Sequence, residues 1–303
     1  MSPPVTRITI GAVLIAATAA VLVADLAVPD VGSAPPAPGF WILFVTAMAA
    51  GCWEFVRMLK AKGLPCQPTV AMVFVMLLAA AAWSESQPFR FGPNLANTLH
   101  AYGMELYLLL IAALVCISFV TEIVRSERSG GDLARAMVSI GWTVLIVMTV
   151  GLLGVFVAKV RFLSPDPARG LMFLVLMIGT VKVGDIGAYA VGSTLGRHKL
   201  VPTLSPKKTV EGLIGAIGGG LVAALAIGCL WGRFAWTDMV LFGVAVSLAG
   251  VLGDLAESLV KRACGAKDSG AIPGFGGVLD ILDSILGAAP VAYLALVLLT
   301  GRA

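Results

Sequence analysis

Apolar residues run along this chain in blocks of about 20, parted by short polar stretches, and that is the length that crosses a hydrocarbon core as an α-helix. The pattern predicts nine spans, near 8–28, 39–57, 68–84, 104–121, 136–158, 171–193, 210–231, 238–260 and 278–299. Inside a bilayer each segment must satisfy its own backbone N–H and C=O groups, so every block is read as a helix. The expected fold class is all-α, a polytopic integral membrane protein with about nine transmembrane helices and a polar site at the cytoplasmic face. The first block is expected to be retained as a span, since it is long and its flank holds only Arg7. Composition agrees: 59% of the 303 residues are hydrophobic and 13% charged, far from the balance of a soluble domain.

Charge sets the orientation. With the N-terminus inside, the inner segments hold Arg7, the Arg57–Lys62 group, Arg125, Arg128, Arg135, the Arg197–Lys208 group, Lys261, Arg262 and Lys267. The outer segments keep Arg90, Lys159, Arg161, Arg169, Arg233 and Arg302, and Lys182 falls within a span. The positive-inside rule therefore places the N-terminus and both motif-rich loops in the cytoplasm, in a multi-pass protein of the cell membrane. The net charge of +4 reflects this bias and contact with anionic lipid, and no nucleic-acid partner is inferred from it.

Cysteine and histidine supply little chemistry. The five cysteines are scattered without a C-x-x-C, so neither a disulfide framework nor a zinc site is expected, and His100 and His198 stand alone. By composition the chain divides into N-terminal helices, residues 1–165, and C-terminal helices, residues 166–303, that carry the dense polar clusters within one membrane domain.

Three clusters stand out. In "VKVGDIGAYAVGSTLGRHKLVPTLSPKKTVEG", Lys182, Asp185 and Tyr189 share one helix face, as a structural ion pair or as the wall of a polar cavity. Ser205, Lys207, Lys208, Thr209 and Glu211 then lead into a helix, where paired lysines, a hydroxyl and free amides suit a polyphosphate; a Ser/Thr cap on a basic loop is the structural alternative. In "GDLAESLVKR", Asp254, Glu257, Ser258 and Lys261 form a stripe on one face, with Glu257 and Lys261 also at the spacing of an ordinary helix ion pair. The third cluster, "KDSGAIPGFGGVLDILDS", joins a glycine loop to Asp280 and Asp283 in the first turns of the last helix, where the helix dipole alone would favour carboxylates. Asp254, Asp280 and Asp283 are hard oxygen donors, and together they are the candidate ligands of a Mg²⁺ ion facing phosphates.

These residues resemble the two signature regions of the phosphatidate cytidylyltransferases, also called CDP-diglyceride synthetases. The second signature of that family runs approximately S-x-x-K-R-x4-K-D-x-G, a P-G-H-G-G loop and D-R-x-D. Ser258, Lys261, Arg262, Lys267, Asp268, Gly270, Pro273, Gly274, Gly276, Gly277, Asp280 and Asp283 match it, and Asp185, Ala188, Tyr189 and Gly192 fit the family's D-x-x-A-Y-x-x-G. The resemblance covers roughly residues 185 to 290; the N-terminal half agrees only in being a set of spans. Phe275 stands where the family has histidine, Ile281 replaces an arginine, and the stretch between Gly270 and Pro273 is one residue short. Phenylalanine neither binds phosphate nor transfers a proton, so either that histidine is dispensable to the chemistry or this member has an altered activity or a different lipid substrate; the first is favoured, because the candidate metal ligands and the lysines remain.

The resemblance implies the reaction CTP plus phosphatidate to CDP-diacylglycerol plus pyrophosphate, by in-line attack of the lipid phosphate on the α-phosphorus. It implies catalytic roles for Asp254, Asp280, Asp283, Lys261 and Lys267, with Mg²⁺ on the three aspartates and a second ion such as K⁺ admitted. Asp185, Tyr189, Ser205, Lys207, Lys208, Thr209, Glu211, Ser258, Arg262, Asp268, Gly274, Gly276 and Gly277 would contact the substrates, CTP and the phosphatidate of the bilayer. A homodimer is implied on family grounds alone. The rival readings are a CTP-dependent polyprenol or lipid kinase, a related CDP-lipid synthase and, in another class, an ion-coupled secondary transporter. The absence of an internal duplication and the crowding of charge at one face speak against the transporter.

Overall fold

The computed structural model describes residues 16–27, 37–86, 103–129, 132–231, 234–266, 269 and 276–301. Its helices are α1 (Ala16–Ala27), α2 (Pro38–Ala61), α3 (Pro68–Ser86), α4 (Gly103–Ser129), α5 (Leu133–Arg161), α6 (Pro167–Leu195), α7 (Val210–Leu230), α8 (Trp236–Ala263) and α9 (Val278–Thr300). The eight from α2 to α9 are long and apolar enough to cross a membrane, and they fall on the eight later expected spans. Of the first, residues 16–27 are described, as the shorter apolar helix α1. The protein is thus an all-α, polytopic membrane protein. To this the fold adds a small antiparallel hairpin that the pattern did not announce, β1 (Lys199–Val201) and β2 (Ser205–Thr209), pairing Lys199 with Thr209 and Val201 with Ser205.

The chain packs as two units, one of Met1–Ala158 with Asp268–Leu279 and the other of Lys159–Lys267 with Asp280–Ala303. In the first, Asp25 of α1 accepts hydrogen bonds from the amides of Gly39 and Phe40, supplying the cap that Ala37 has no side chain to provide. Phe40, Trp41 and Phe44 then pack edge to face and stacked in the core. The α-helical ladder of α5 widens to a π-helix at Val147–Leu152, and Gly151 within it packs on Val75 and Leu78 of α3. A buried polar lock joins three helices: Gln67 donates to Glu122 at 3.0 Å and to the Ser118 carbonyl at 2.9 Å, while Ser139 donates to Glu122 at 2.6 Å.

The second unit is assembled by missing side chains. A Cβ on Gly187 of α6 would strike the Gly215 carbonyl of α7, and one on Gly219 the Val183 carbonyl, so these two helices approach backbone to backbone. Gly253 of α8 and Gly287 of α9 do the same, since a Cβ on Gly253 would lie 2.9 Å from the Gly287 Cα. That contact sets the last turns of α8 beside the first turns of α9.

Candidate active site

Because α8 and α9 touch at Gly253 and Gly287, the carboxylates on either side of the contact converge. Asp254 and Glu257 follow on the face of α8, Asp283 lies one turn before Gly287, and the ligand oxygens of all three fall within 4.8 Å of one another. Like charges this close repel, so such a cluster persists only where cations face it. Two lysines do. Lys208 of β2 reaches Asp254 at 2.7 Å, and Lys261, one turn beyond Glu257, pairs with Glu257 Oε2 at 2.6 Å and also with Asp280. Glu257 Oε1 remains buried and meets no hydrogen-bond partner among the described residues.

The expected ion pair Glu257–Lys261 is therefore present, but it uses one oxygen of Glu257 and leaves the other buried. Asp280, expected beside Asp254 and Asp283, is engaged by Lys261, and Glu257 takes the third place in the cluster. Lys182 and Asp185 pair at 3.2 Å on α6. Lys182 also donates to the Ser284 hydroxyl at 2.9 Å and the Ile281 carbonyl at 3.0 Å of α9, and Ser284 donates to Asp185 at 3.3 Å, so this polar knot ties α6 to the helix that carries Asp280 and Asp283. Tyr189, on the same face of α6, is exposed.

The loop before α7 folds into the hairpin. Thr209 is buried and caps α7, accepting from the Gly212 amide at 3.0 Å, so its hydroxyl has the structural use weighed against substrate binding. Glu211 turns back to accept from the amides of Arg197 at 3.0 Å and His198 at 3.2 Å, and it meets His198 Nδ1 at 2.6 Å, closing the base of the hairpin. Ser205 and Lys207 lie two apart along β2, with Lys207 exposed. Arg262 Nε donates to the Leu204 carbonyl at 3.3 Å in the hairpin turn. Together with Lys208–Asp254, that bond holds the hairpin to the end of α8. Ser258 is half-buried on α8.

Lys267, Asp268, Gly274 and Phe275 lie outside the described residues. Gly276, at φ 83°, adopts the left-handed backbone that favours glycine, and Gly277 is buried in the first unit. There it abuts a residue that the reading of the sequence passed over. Glu54 of α2 is buried and accepts from the amides of Val278 at 2.9 Å and Leu279 at 2.8 Å and from the Ser269 hydroxyl at 3.1 Å. Its signal was present in "GCWEFVRML", a carboxylate in an apolar span, which is costly enough to demand partners.

A site of clustered carboxylates and lysines at the ends of bilayer-length helices suits transfer chemistry on phosphates. The comparisons with known proteins agree. The model of the Cytidylyltransferase family matches residues 5–299. A phosphatidate cytidylyltransferase of Synechocystis sp. is 33% identical over 256 residues, covering 82% of this chain and 85% of that protein. Those of Mycobacterium bovis, 31% identical over 86% of this chain and 82% of its own, and of Haemophilus influenzae, 30% identical over 84% and 88%, are similar over the same breadth. With the match running through nearly all of its spans, the chain belongs to the cytidylyltransferase family.

Proposed function

We propose that this protein is a phosphatidate cytidylyltransferase, which joins CTP and phosphatidate into CDP-diacylglycerol with release of pyrophosphate. The observation that carries the reading is the Asp254–Glu257–Asp283 cluster flanked by Lys208 and Lys261, in a chain with which the three relatives of that name described above align over more than four-fifths of its length. In the reaction an oxygen of the lipid phosphomonoester bonds to the α-phosphorus of CTP. The bond from that phosphorus to the bridging oxygen breaks, and the electron pair leaves with pyrophosphate. The attacking oxygen is already anionic near neutral pH, so positioning and charge neutralisation matter more than a strong base.

Three carboxylates, one with a buried oxygen that has no partner among the described residues, are a hard oxygen donor set, and this fits the Mg²⁺ that the family resemblance implies. Asp254, Glu257 and Asp283 would hold it. When bound it would offset the repulsion between the two phosphate groups and the charge developing on the leaving oxygen. Lys261 orients Glu257 and keeps Asp280 in register with it, and Lys208 orients Asp254. Lys207, exposed on β2, adds a cation for the triphosphate. Asp185 and Lys182 brace Ser284 beside Asp283.

The site faces the cytoplasm in this proposal, because the segments that bear it fall on the side to which the positive-inside rule assigns most of the basic residues. Purified protein in detergent, given phosphatidate, labelled CTP and Mg²⁺, is expected to form a lipid-soluble nucleotide. The absence of product at every combination of Mg²⁺ and K⁺ would overturn the proposal. Light scattering of the same sample tests the homodimer that the resemblance implies.

A further inference from the structure

A carboxylate buried in a membrane helix is costly unless hydrogen bonds satisfy it, and the partners it finds show what it holds. Glu54 lies in α2, more than a hundred residues before either signature, yet the residue is 5% exposed and spends both oxygens on the start of α9. Oε1 accepts from the Val278 amide, and Oε2 accepts from the Leu279 amide and the Ser269 hydroxyl. These two amides belong to the first turn of α9, whose donors have no partner within the helix itself, and a negative charge there is favoured by the helix dipole. Gly277 completes the fit, since a Cβ at that position would collide with Glu54 Oε2 and with the Ser269 hydroxyl. The glycine is required for close approach of the loop to the carboxylate, whereas Gly276 before it is required by its positive φ.

We propose that Glu54 is a positioning residue for the transfer reaction: it fixes where α9 begins and which way its first turn is rotated. Asp280 is the third residue of that turn, its carboxylate pairs with Lys261, and Lys261 in turn holds Glu257. Glu54 spends its carboxylate on the Val278 and Leu279 amides and the Ser269 hydroxyl. It acts through the helix, and the inference rests on the proposed role of the carboxylate–lysine cluster.

The test compares full-length wild type with Glu54→Gln, Glu54→Ala and Ser269→Ala in detergent, by hydrogen exchange of the 276–283 segment and by CTP turnover well below the melting temperature. Glu54→Ala removes three charge-assisted hydrogen bonds, two of them to amides, so the Val278 and Leu279 amides are expected to exchange about tenfold to a hundredfold faster. Turnover of the folded protein should fall at least about tenfold alongside, because a displaced first turn misplaces Asp280. Glu54→Gln keeps the size and is the variant to read if the alanine form does not fold; it is expected to shift both quantities the same way. Ser269→Ala spares both amide bonds and should leave turnover within about threefold. Faster exchange with unchanged turnover would reduce Glu54 to a stabilising contact, and lost turnover with unchanged exchange would mean that it acts by another route. Either result overturns the inference. A wild type without CTP-dependent product would fail the proposed function instead, and the exchange measurement would stand apart from it.

Discussion

Lys261 Nζ is shared by Glu257 and Asp280, and the side chain is 12% exposed. Replacing it with methionine leaves two buried carboxylates without their cation, a loss of about 3–5 kcal/mol by the usual cost of breaking a buried pair. Lys261→Met is therefore expected to lower the melting temperature in detergent sharply, and Lys207→Met, at an exposed position, to leave it within about a degree or two. Asp254→Asn, Glu257→Gln and Asp283→Asn are each expected to stay folded and to lose on the order of a thousandfold in turnover, about 4 kcal/mol of barrier. Near-normal rates with unchanged Mg²⁺ dependence in all three would remove the cluster from the mechanism. Asp254, Asp283, Lys208 and Lys261 were legible as site candidates because each is a charge placed in or beside an apolar span. The second oxygen of Glu257 was not legible. Spacing along one helix identifies its i,i+4 partner but cannot say which carboxylate of a neighbouring helix comes to face it. Phe275→His tests the reading that the family's histidine is dispensable, and turnover is expected to stay within about tenfold.

Among the elements, the spans were readable because bilayer length is a strong signal, and eight described helices match their expected positions. The hairpin was not, since "KLVPTLSPKKT" has two prolines and little alternation, and what folds it is tertiary: Glu211 on the loop amides and Lys208 on Asp254. The glycines were visible one by one but their partners were not, because helix crossing depends on which small residues meet. Gly253→Val should separate α8 from α9, since a side chain there would press on the Asp283 carbonyl and the Gly287 backbone. Activity is expected to fall by at least about a hundredfold. Gly218→Ala, in the glycine-rich α7 and with open space at its Cβ, is expected to leave activity unchanged. Equal losses at the two positions would show that the close approach does not set the site.

For the whole molecule, orientation is the property that cysteine labelling checks. A cysteine at Lys207 is expected to react with an impermeant maleimide from the cytoplasmic side, and reaction from outside would reverse the topology. Native Cys66 and Cys264 add little background, because burial raises both thiols and leaves little thiolate to react. The contact between Glu54 and the start of α9 has a further consequence in biogenesis. The carboxylate and the Val278 amide are separated by 224 residues. At about 5–20 residues per second, roughly 10–45 s of synthesis pass between the emergence of the acid and that of its partners. Through that interval α2 carries an acid whose partners at the start of α9 have not yet been made. A chain truncated before α9 is therefore expected to keep that acid without its partners and to be degraded faster than the full-length chain, which a pulse-chase measurement would check.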